Sequence, residues 1–473
     1  MIFRLAVNVE EPKKMNTRLR FAAIGLCLLV AKAAVFSAAE LNPVANLPDP
    51  ITKPLSLAEC IQLALKQNSA ILKGKSDLEA AHGLVVQLRA IAIPKVRASG
   101  GYEFNDAIES LQLPPPSPSV EFQRDQNWSA GIRLVQSLYE GGRIRSSLKS
   151  ARLTREQALF NYQTVIADTL TAVRVGYDDV LLAAQLIEVQ EASIRLLTRE
   201  LEDTTRRYDA GTVPRFNVLR AEVELANARP RLIRARNTHR IARHNLANLL
   251  GYNLPKDVSD DIPLTLSGRL EAEPYTIELT AAISRAIERR PELGALRHAE
   301  LLRKEGVRSA RGGYLPSVQG FGGYGWRNSQ FVDDLAREVA GWNAGVQLTW
   351  DIFDGFLSRG KVDEARALHR KARHEIEDAT RRIELEVRTA YSQFVEAREV
   401  LNSQKKVLEQ AEEALRLAHA RADAGTGTQL DLLSAQTALT EARSTGIQAL
   451  HDYSVARARL ERAIGQEIVT ERP

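Results

Sequence analysis

Cysteine is nearly absent: the 473 residues hold two, Cys27 and Cys60. Cys27 falls in an N-terminal segment expected to be removed, so Cys60 is left alone and no internal disulfide can form even in an oxidising compartment. Both methionines sit in the first fifteen residues, and aromatic side chains make up only 6%. Catalytic motifs are missing too. There is no G-x-S-x-G and no G-x-x-x-x-G-K-[ST]; the glycine-rich G-F-G-G-Y-G at 320–325 sits in a strand-like alternation, where small residues facing a packed lumen account for it better than a phosphate cradle. His239/His244 and His369/His374 are each five apart, whereas paired ligands on one helix face need three or four. Neither a metal nor a cofactor nor an enzymatic function is expected.

Charge excludes a further class. The formal net charge is +5, but residues 1–39 carry six basic and two acidic side chains, which leaves about +1 for the remainder. Nucleic-acid binding would need a concentrated basic face, and none is present. The segment itself reads as a secretory signal: N-T-R-L-R after Met15, the apolar run 21–36, then Ser37-Ala38-Ala39 before a cleavage point. Lys32 interrupts the run and argues against a spanning anchor, Leu26 before Cys27 is unlike a lipidation site, and Met15 is a second candidate start.

What is present is periodicity. In W-N-A-G-V-Q-L-T-W-D-I-F at 342–353, Trp342, Ala344, Val346, Leu348, Trp350 and Ile352 alternate with small or polar residues, which predicts a strand. Twelve residues suit a tilted bilayer-crossing strand with rings at both interfaces, as well as a half-buried strand of a soluble sheet. Sliding the sequence by 214 positions aligns Trp128 with Trp342, Gly141 with Gly355, Tyr177 with Tyr391, Gly211 with Gly425 and Leu246 with Leu460; upstream, a shift of 222 aligns Pro94 with Pro316. The chain is therefore a duplicated unit of about two hundred residues.

Each copy predicts the same order. A Pro-rich lead (40–56) precedes a helix over about 57–92, ended by Pro94. A β-hairpin follows (96–139 and 318–353), with P-P-P-S-P at 114–118 inside the first. Residues 142–210 contain no proline and, before the turn, only Gly176 as an internal glycine, which predicts a helix roughly 100 Å long at 1.5 Å per residue. In the second copy Ile383, Val387, Ala390, Phe394, Ala397, Leu401, Leu408, Ala411, Leu415 and Ala418 keep a 3-4 spacing that fails only at Gln404, the mark of coiled-coil packing. Gly211 and Gly425 turn the chain into return helices, the first interrupted by Pro230 and opposite Ser444 in the second. The expected divisions are a first repeat 57–251, an irregular outer connector 252–275 with Asp257, Asp260 and Asp261, a second repeat 276–466 and a tail 467–473.

The two turns stand as R-R-Y-D-A-G-T-V-P-R-F-N-V-L-R-A at 206–221 and A-R-A-D-A-G-T-G-T-Q-L-D-L-L-S-A at 420–435. With the duplicated strand-pair, long helix and return helix, they resemble the TolC-like outer-membrane efflux protein family over about 57–466. Arg207, Gly211, Arg421, Gly425, Asp431, Leu432 and Leu433 match its pattern; Asn217, Gly427 and Ser434 depart from it.

The resemblance implies a fold that is mainly α with a transmembrane β part: two long antiparallel coiled-coil hairpins and two β-hairpins per chain, in a homotrimer whose twelve-stranded barrel, set in outer-membrane lipid, continues into a helical periplasmic barrel. It implies a passive exit duct for efflux or type I secretion, working with a periplasmic adaptor and an inner-membrane pump. The periplasmic tips (207–217 and 421–431) would meet the adaptor through Arg207, Gly211, Thr212, Asn217, Arg421, Gly425, Thr426 and Asp431. Tyr102, Trp128, Tyr324, Trp326, Trp342 and Trp350 would form the membrane girdle. A secreted coiled-coil scaffold or adaptor without a pore is the alternative.

Overall fold

A computed structural model of the chain describes residues 53–104, 126–252, 262–328 and 338–466, together with the short paired strands Ser110–Leu111 and Val120–Glu121. The signal segment, residues 40–52 of the lead, the 114–118 prolines, the Asp257, Asp260, Asp261 cluster and the 467–473 tail lie outside the described residues.

Helix α1 (Leu57–Gln67) opens on a capping box: the Glu59 amide donates to Ser56 Oγ at 3.3 Å and the Ser56 amide to Glu59 Oε2 at 2.7 Å. The spacing of apolar residues predicts one helix over 57–92, but the structure divides it at Asn68, whose backbone is extended. Asn68 Oδ1 accepts from the Ala70 and Ile71 amides, opening α2 (Ser69–Arg89), and its Nδ2 donates to Leu249 O at 2.6 Å. The break thus satisfies a carbonyl at the end of another helix, which outweighs continuing the ladder.

Strands β1 (Lys95–Phe104) and β2 (Gln126–Glu140) follow, then α3 (Arg143–Asp209) and α4 (Arg215–Leu249). The 67 residues of α3 span roughly 100 Å. Helix α4 runs on through Pro230 despite a propensity cost of about 3 kcal/mol, with Leu225 and Ala228 buried just before it. The second copy repeats the series as α5 (Leu279–Arg289), α6 (Pro291–Arg311), β3 (Ser317–Asn328), β4 (Glu338–Thr349), α7 (Leu357–Asp423) and α8 (Gln429–Ile464). Here Pro291 starts α6 where Asn68 does the work in the first copy.

Two differences from the sequence reading concern the ends of elements. Strand β4 begins four residues before Trp342 and ends at Thr349, because its partner β3 ends its ladder at Ser317 opposite Thr349. Trp350, Asp351, Ile352 and Phe353 therefore follow the strand, and Asp354 then accepts from the Ser358 amide at 2.8 Å as α7 begins. Over its described residues 262–275 the connector is irregular and not merely external. Ile262, Leu264 and Leu270 are buried, Leu55 and Leu266 form a parallel bridge, and Tyr177 Oη donates to Ser267 O.

The apolar core lies where the short helices meet the long ones. In the first copy Cys60, Ile61, Val173, Tyr177, Leu246 and Leu250 pack with the connector; in the second Ala286, Leu293, Val387, Phe394, Tyr453 and Leu460 pack together. Leu246 and Leu460, related by the 214-residue shift, are both fully buried. Burial pushes the Cys60 thiol up to about 12, with the Glu59 carboxylate adding to it, so this cysteine is a small apolar filler. The 3-4 seam of α7 faces inward as expected, and its polar exception, Gln404, accepts from Thr445 Oγ1 of α8.

Neighbouring helices give the wall its order. Toward the turns α4 packs on α3, α3 on α8 and α8 on α7; toward the strands α2 packs on α3, α3 on α6 and α6 on α7. Helix α2 thus continues the line of α4, and α6 that of α8. At the first joint a Cβ on Gly251 would lie 2.5 Å from Gln67 O; at the second, Gly465 lies against Arg289 and Arg290. Ion pairs cross the second joint: Arg290 reaches Glu292 at 3.0 Å and Glu386 at 2.6 Å, and Arg462 reaches Glu292 at 2.5 Å and Asp168 at 2.7 Å. Burial works to raise Glu292, but hydrogen bonds from Arg290 and Arg462 prevail and hold it down to about 2.

Candidate functional site: a two-faced sheet and paired helix turns

All four strands form one antiparallel sheet in the order β1-β2-β3-β4. Because cross-strand partners share a face, the register sorts every side chain. Val96 pairs with Leu134, Ala98 with Ile132, Tyr102 with Trp128, Ala130 with Trp326, Ile132 with Tyr324, Tyr324 with Trp342 and Val318 with Leu348. That face is apolar throughout, apart from Gln126 and Gln136 near its ends and Glu338 and Asn328 at one margin. The opposite face carries Arg97, Ser99, Glu103, Asn127, Ser129, Arg133, Gln319, Arg327, Asn343, Gln347 and Thr349. The glycines at 320–325 are split: Gly320 and Gly322 lie on the apolar face, Gly323 and Gly325 on the polar one, so only half of them can line a lumen. A bulge between Ser137 and Tyr139 shifts the β2–β3 register near the helices.

Five of the six girdle candidates, Tyr102, Trp128, Tyr324, Trp326 and Trp342, stand on the apolar face toward the end far from the helices. Tyr102 donates to Gln126, and the Tyr324 and Trp326 rings meet edge-on at 4.8 Å. Trp350 is at the helix end, past the strand, its Nε1 donating to Tyr314 O at 3.2 Å. Exposed Phe353 and Phe356 adjoin it, their rings perpendicular at 5.5 Å. Phe356 holds a left-handed backbone (φ 68) at the position where the first copy has Gly142 (φ 87).

At the other end the two turns are built alike. Gly211 (φ 74) and Gly425 (φ 72) reverse the chain, the Thr212 and Thr426 amides donate to the Arg207 and Arg421 carbonyls, and each threonine hydroxyl donates to the same carbonyl. Beyond this the copies part. Asp431 forms a capping box with Thr428: its Oδ2 accepts from the Thr428 amide at 3.1 Å and hydroxyl at 2.7 Å, while its own amide donates back. Those hydrogen bonds hold its carboxyl below the usual range, and Arg421 adds to the effect. In the first turn Pro214 stands in place of Thr428 and Asn217 in place of Asp431, and α4 has no side-chain cap. Gln429 Nε2 donates to Thr204 Oγ1 at 2.9 Å, and Leu433 joins Leu197, Leu225 and Ala228 in a buried patch, so both turns lie side by side.

No helix among the described residues is long and apolar enough to cross a membrane, and no cluster among them has the residues of a metal site. The sheet is the element with a membrane-compatible face. The profile of the family described as outer membrane efflux protein matches residues 60–252 and 282–466, one span in each copy.

The chain belongs to the outer membrane efflux protein family.

Among its relatives are the outer membrane protein TolC of Vibrio cholerae, 26% identical over 419 residues, covering 87% of this chain and 90% of that protein, and the alkaline protease secretion protein AprF of Pseudomonas aeruginosa, 24% identical over 413 residues, covering 86% and 83%. The fold is that of the solved outer-membrane channel OprN (TM-score 0.71, 22% identity, 87% of this chain and 90% of that one) and of the Campylobacter jejuni CmeC channel (TM-score 0.72, 17% identity, 88% and 87%). This outer membrane efflux protein is an outer-membrane channel for efflux or secretion with a periplasmic extension, in a family of transport ducts rather than enzymes.

Sequence reasoning missed one surface of this outer membrane efflux protein. Phe216, Leu219 and Val223, spaced i, i+3 and i+7 on the first turns of α4, are all exposed, Phe216 at 68%, with Leu430 and Tyr208 exposed nearby in sequence at the two turns. The spacing was readable, but it marks an apolar stripe without saying that the stripe faces outward.

Proposed function

We propose that three copies of this chain close a twelve-stranded barrel in the outer membrane, continuous with a periplasmic tube of twelve helical rods, and that the tube is a passive exit duct docked by its tips to a periplasmic adaptor and, through it, to an inner-membrane pump. The observation that carries this reading is the coincidence of two kinds of open edge. Strands β1 and β4 leave an unpaired margin on each side of a four-stranded sheet, and in lipid each orphaned backbone group costs several kcal/mol. The helices at the margins of the wall, α4 and α7, carry exposed Ile233, Ile241, Leu385 and Leu417. Pairing β4 and α7 of one copy with β1 and α4 of the next satisfies both. A pore-free scaffold in water would leave Val96, Tyr102, Trp342 and Val346 of the apolar face uncovered.

The tip residues Arg207, Gly211, Thr212, Asn217, Arg421, Gly425, Thr426 and Asp431 have the adaptor contact as their role, with Phe216 and Leu219 supplying its apolar part. At the end of a roughly 100 Å hairpin the turns bury only the small patch around Leu433, which leaves their outward side chains free for a partner. Light scattering in detergent is expected to give a trimer, with SDS-resistant, heat-modified mobility. In Gly425→Trp the new side chain enters open space and the left-handed backbone (φ 72) costs about 1 to 2 kcal/mol at a local turn, so trimers should survive while export is lost. A monomer that inserts stably, or normal export by Gly425→Trp trimers, would sink the corresponding half of the reading.

A further inference from the structure

We propose that the lumen of the barrel carries an arginine belt that binds and selects anionic cargo, in particular groups with several anionic oxygens such as phosphates and carboxylates; the proposal rests on the trimeric-duct reading. On the polar face of the sheet Arg97 and Arg133 are direct cross-strand partners, and Arg327 stands on the same face of β3 two rows nearer the far end. Like charges placed opposite one another across a pair of strands repel, so the pairing works against stability unless something negative comes between them. No carboxylate among the described residues lies within ion-pair distance of any of the three, although ion pairs are frequent on the helices. Arg133 instead rests its guanidinium over the Phe321 ring, 4.6 Å from the centroid.

The surroundings leave room for a guest. The next row toward the far end is Ser99, Gly131, Gly325 and Gly341, a strip with almost no side chain, and a Cβ on Gly341 would meet nothing within 4 Å. Lys95, one row nearer the helices, adds a fourth positive charge. The acids on this face do not cancel the belt: Glu103 is three rows beyond Arg97 and, though only one row beyond Arg327, two strands away from it and not ion-paired with it, and Glu140, at the helix end, is already engaged by Ser137 Oγ at 2.6 Å and by Gln319. Threefold repetition would bring the pair round the lumen three times, and planar guanidinium groups hold oxyanions by paired hydrogen bonds. The barrel would therefore favour anions, in contrast to the aspartate-bearing tips.

Single-channel currents of the purified protein in planar bilayers test this, with sodium tripolyphosphate added to one side at a time. Block is expected from the barrel side at submillimolar concentration. In Arg97→Gln/Arg133→Gln the blocking concentration should rise at least tenfold, and in Arg97→Lys/Arg133→Lys by much less. Conducting channels whose block is unchanged in the Gln pair would overturn the belt alone. Channels that never conduct, from trimers or monomers, would overturn the duct reading and the belt with it. If the Gln pair fails to assemble, Arg97→Gln alone removes half of the opposed pair, and an unaltered block there is equally fatal.

Discussion

Replacing Val346 with arginine tests the orientation of the sheet most directly. Val346 is four residues from Trp342 and four from Trp350. At roughly 3.3 Å per residue each ring lies about 13 Å away along the chain. In the proposed barrel a strand tilt of about 40° would reduce this to about 10 Å along the bilayer normal and set Val346 near the midplane of a band about 25 Å tall. The side chain is 67% exposed and its direct cross-strand partner is Gly320, so an arginine there has no side chain immediately opposite to shelter it. The expected cost is about 2 to 4 kcal/mol per chain, hence roughly 6 to 12 kcal/mol for the proposed trimer. Gln347→Arg, one residue on and facing the opposite way beside Gln319, should cost close to nothing. The assay is the urea midpoint for loss of the SDS-resistant oligomer in liposomes, with Val346→Leu as the control. Equal shifts for Val346→Arg and Gln347→Arg would refute the assignment of the two faces.

Acid should loosen the second joint. Glu292 is depressed to about 2 from an ordinary value near 4.5, so its stabilisation is present above about 4.5 and lost as pH falls toward 2. The loss is up to about 3 kcal/mol, and Glu292→Gln should flatten that acid limb in a thermal-melt series; an unchanged limb would count against the ion-pair cluster. Gly141→Ala forces a left-handed backbone (φ 58) on alanine and sets its Cβ 2.5 Å from Gly312 O. Together these should cost roughly 2 to 4 kcal/mol. Gly142→Ala, with open space around it, should cost only about 1 kcal/mol; equal melting shifts would show the close approach to be unimportant. Thr428→Ala and Asp431→Ala should each weaken the first turn of α8 by about 1 kcal/mol, read as faster amide exchange there. Only Asp431→Ala should also change conductance or cation preference, and identical currents in the two variants would reduce Asp431 to a cap.

The alternation of β1 to β4, the duplication and the long prolineless helices were legible because each is a repeating local pattern. The glycine turns were legible because only glycine adopts φ near 72 cheaply. What escaped was set by distant contacts. Gln67 and Ser69 are both compatible with helix, and the break at Asn68 follows from its bond to Leu249, 181 residues away. The alternation in 342–353 runs past Thr349 because Trp350, Ile352 and Phe353 are apolar for another reason: they are exposed where the sheet meets the helices. At the tip, T-x-x-D at 428–431 was a readable capping box that assigns Asp431 a local role, and the outward stripe of Phe216 and Leu219 was not assigned a face.

The two joints sit at corresponding levels of the two copies, and α3 and α7 pass beside them without a break. The wall is thus bonded like brickwork, with a seam in every second column and an uncut column between. Such a wall resists bending, because the uncut columns carry tension and compression past each seam. It yields more readily to torsion, because at Asn68 and Arg290 the backbone is extended and side-chain bonds stand in for the helical ladder. A twisting motion of the half that bears the turns, relative to the half that bears the strands, is the deformation this construction leaves soft.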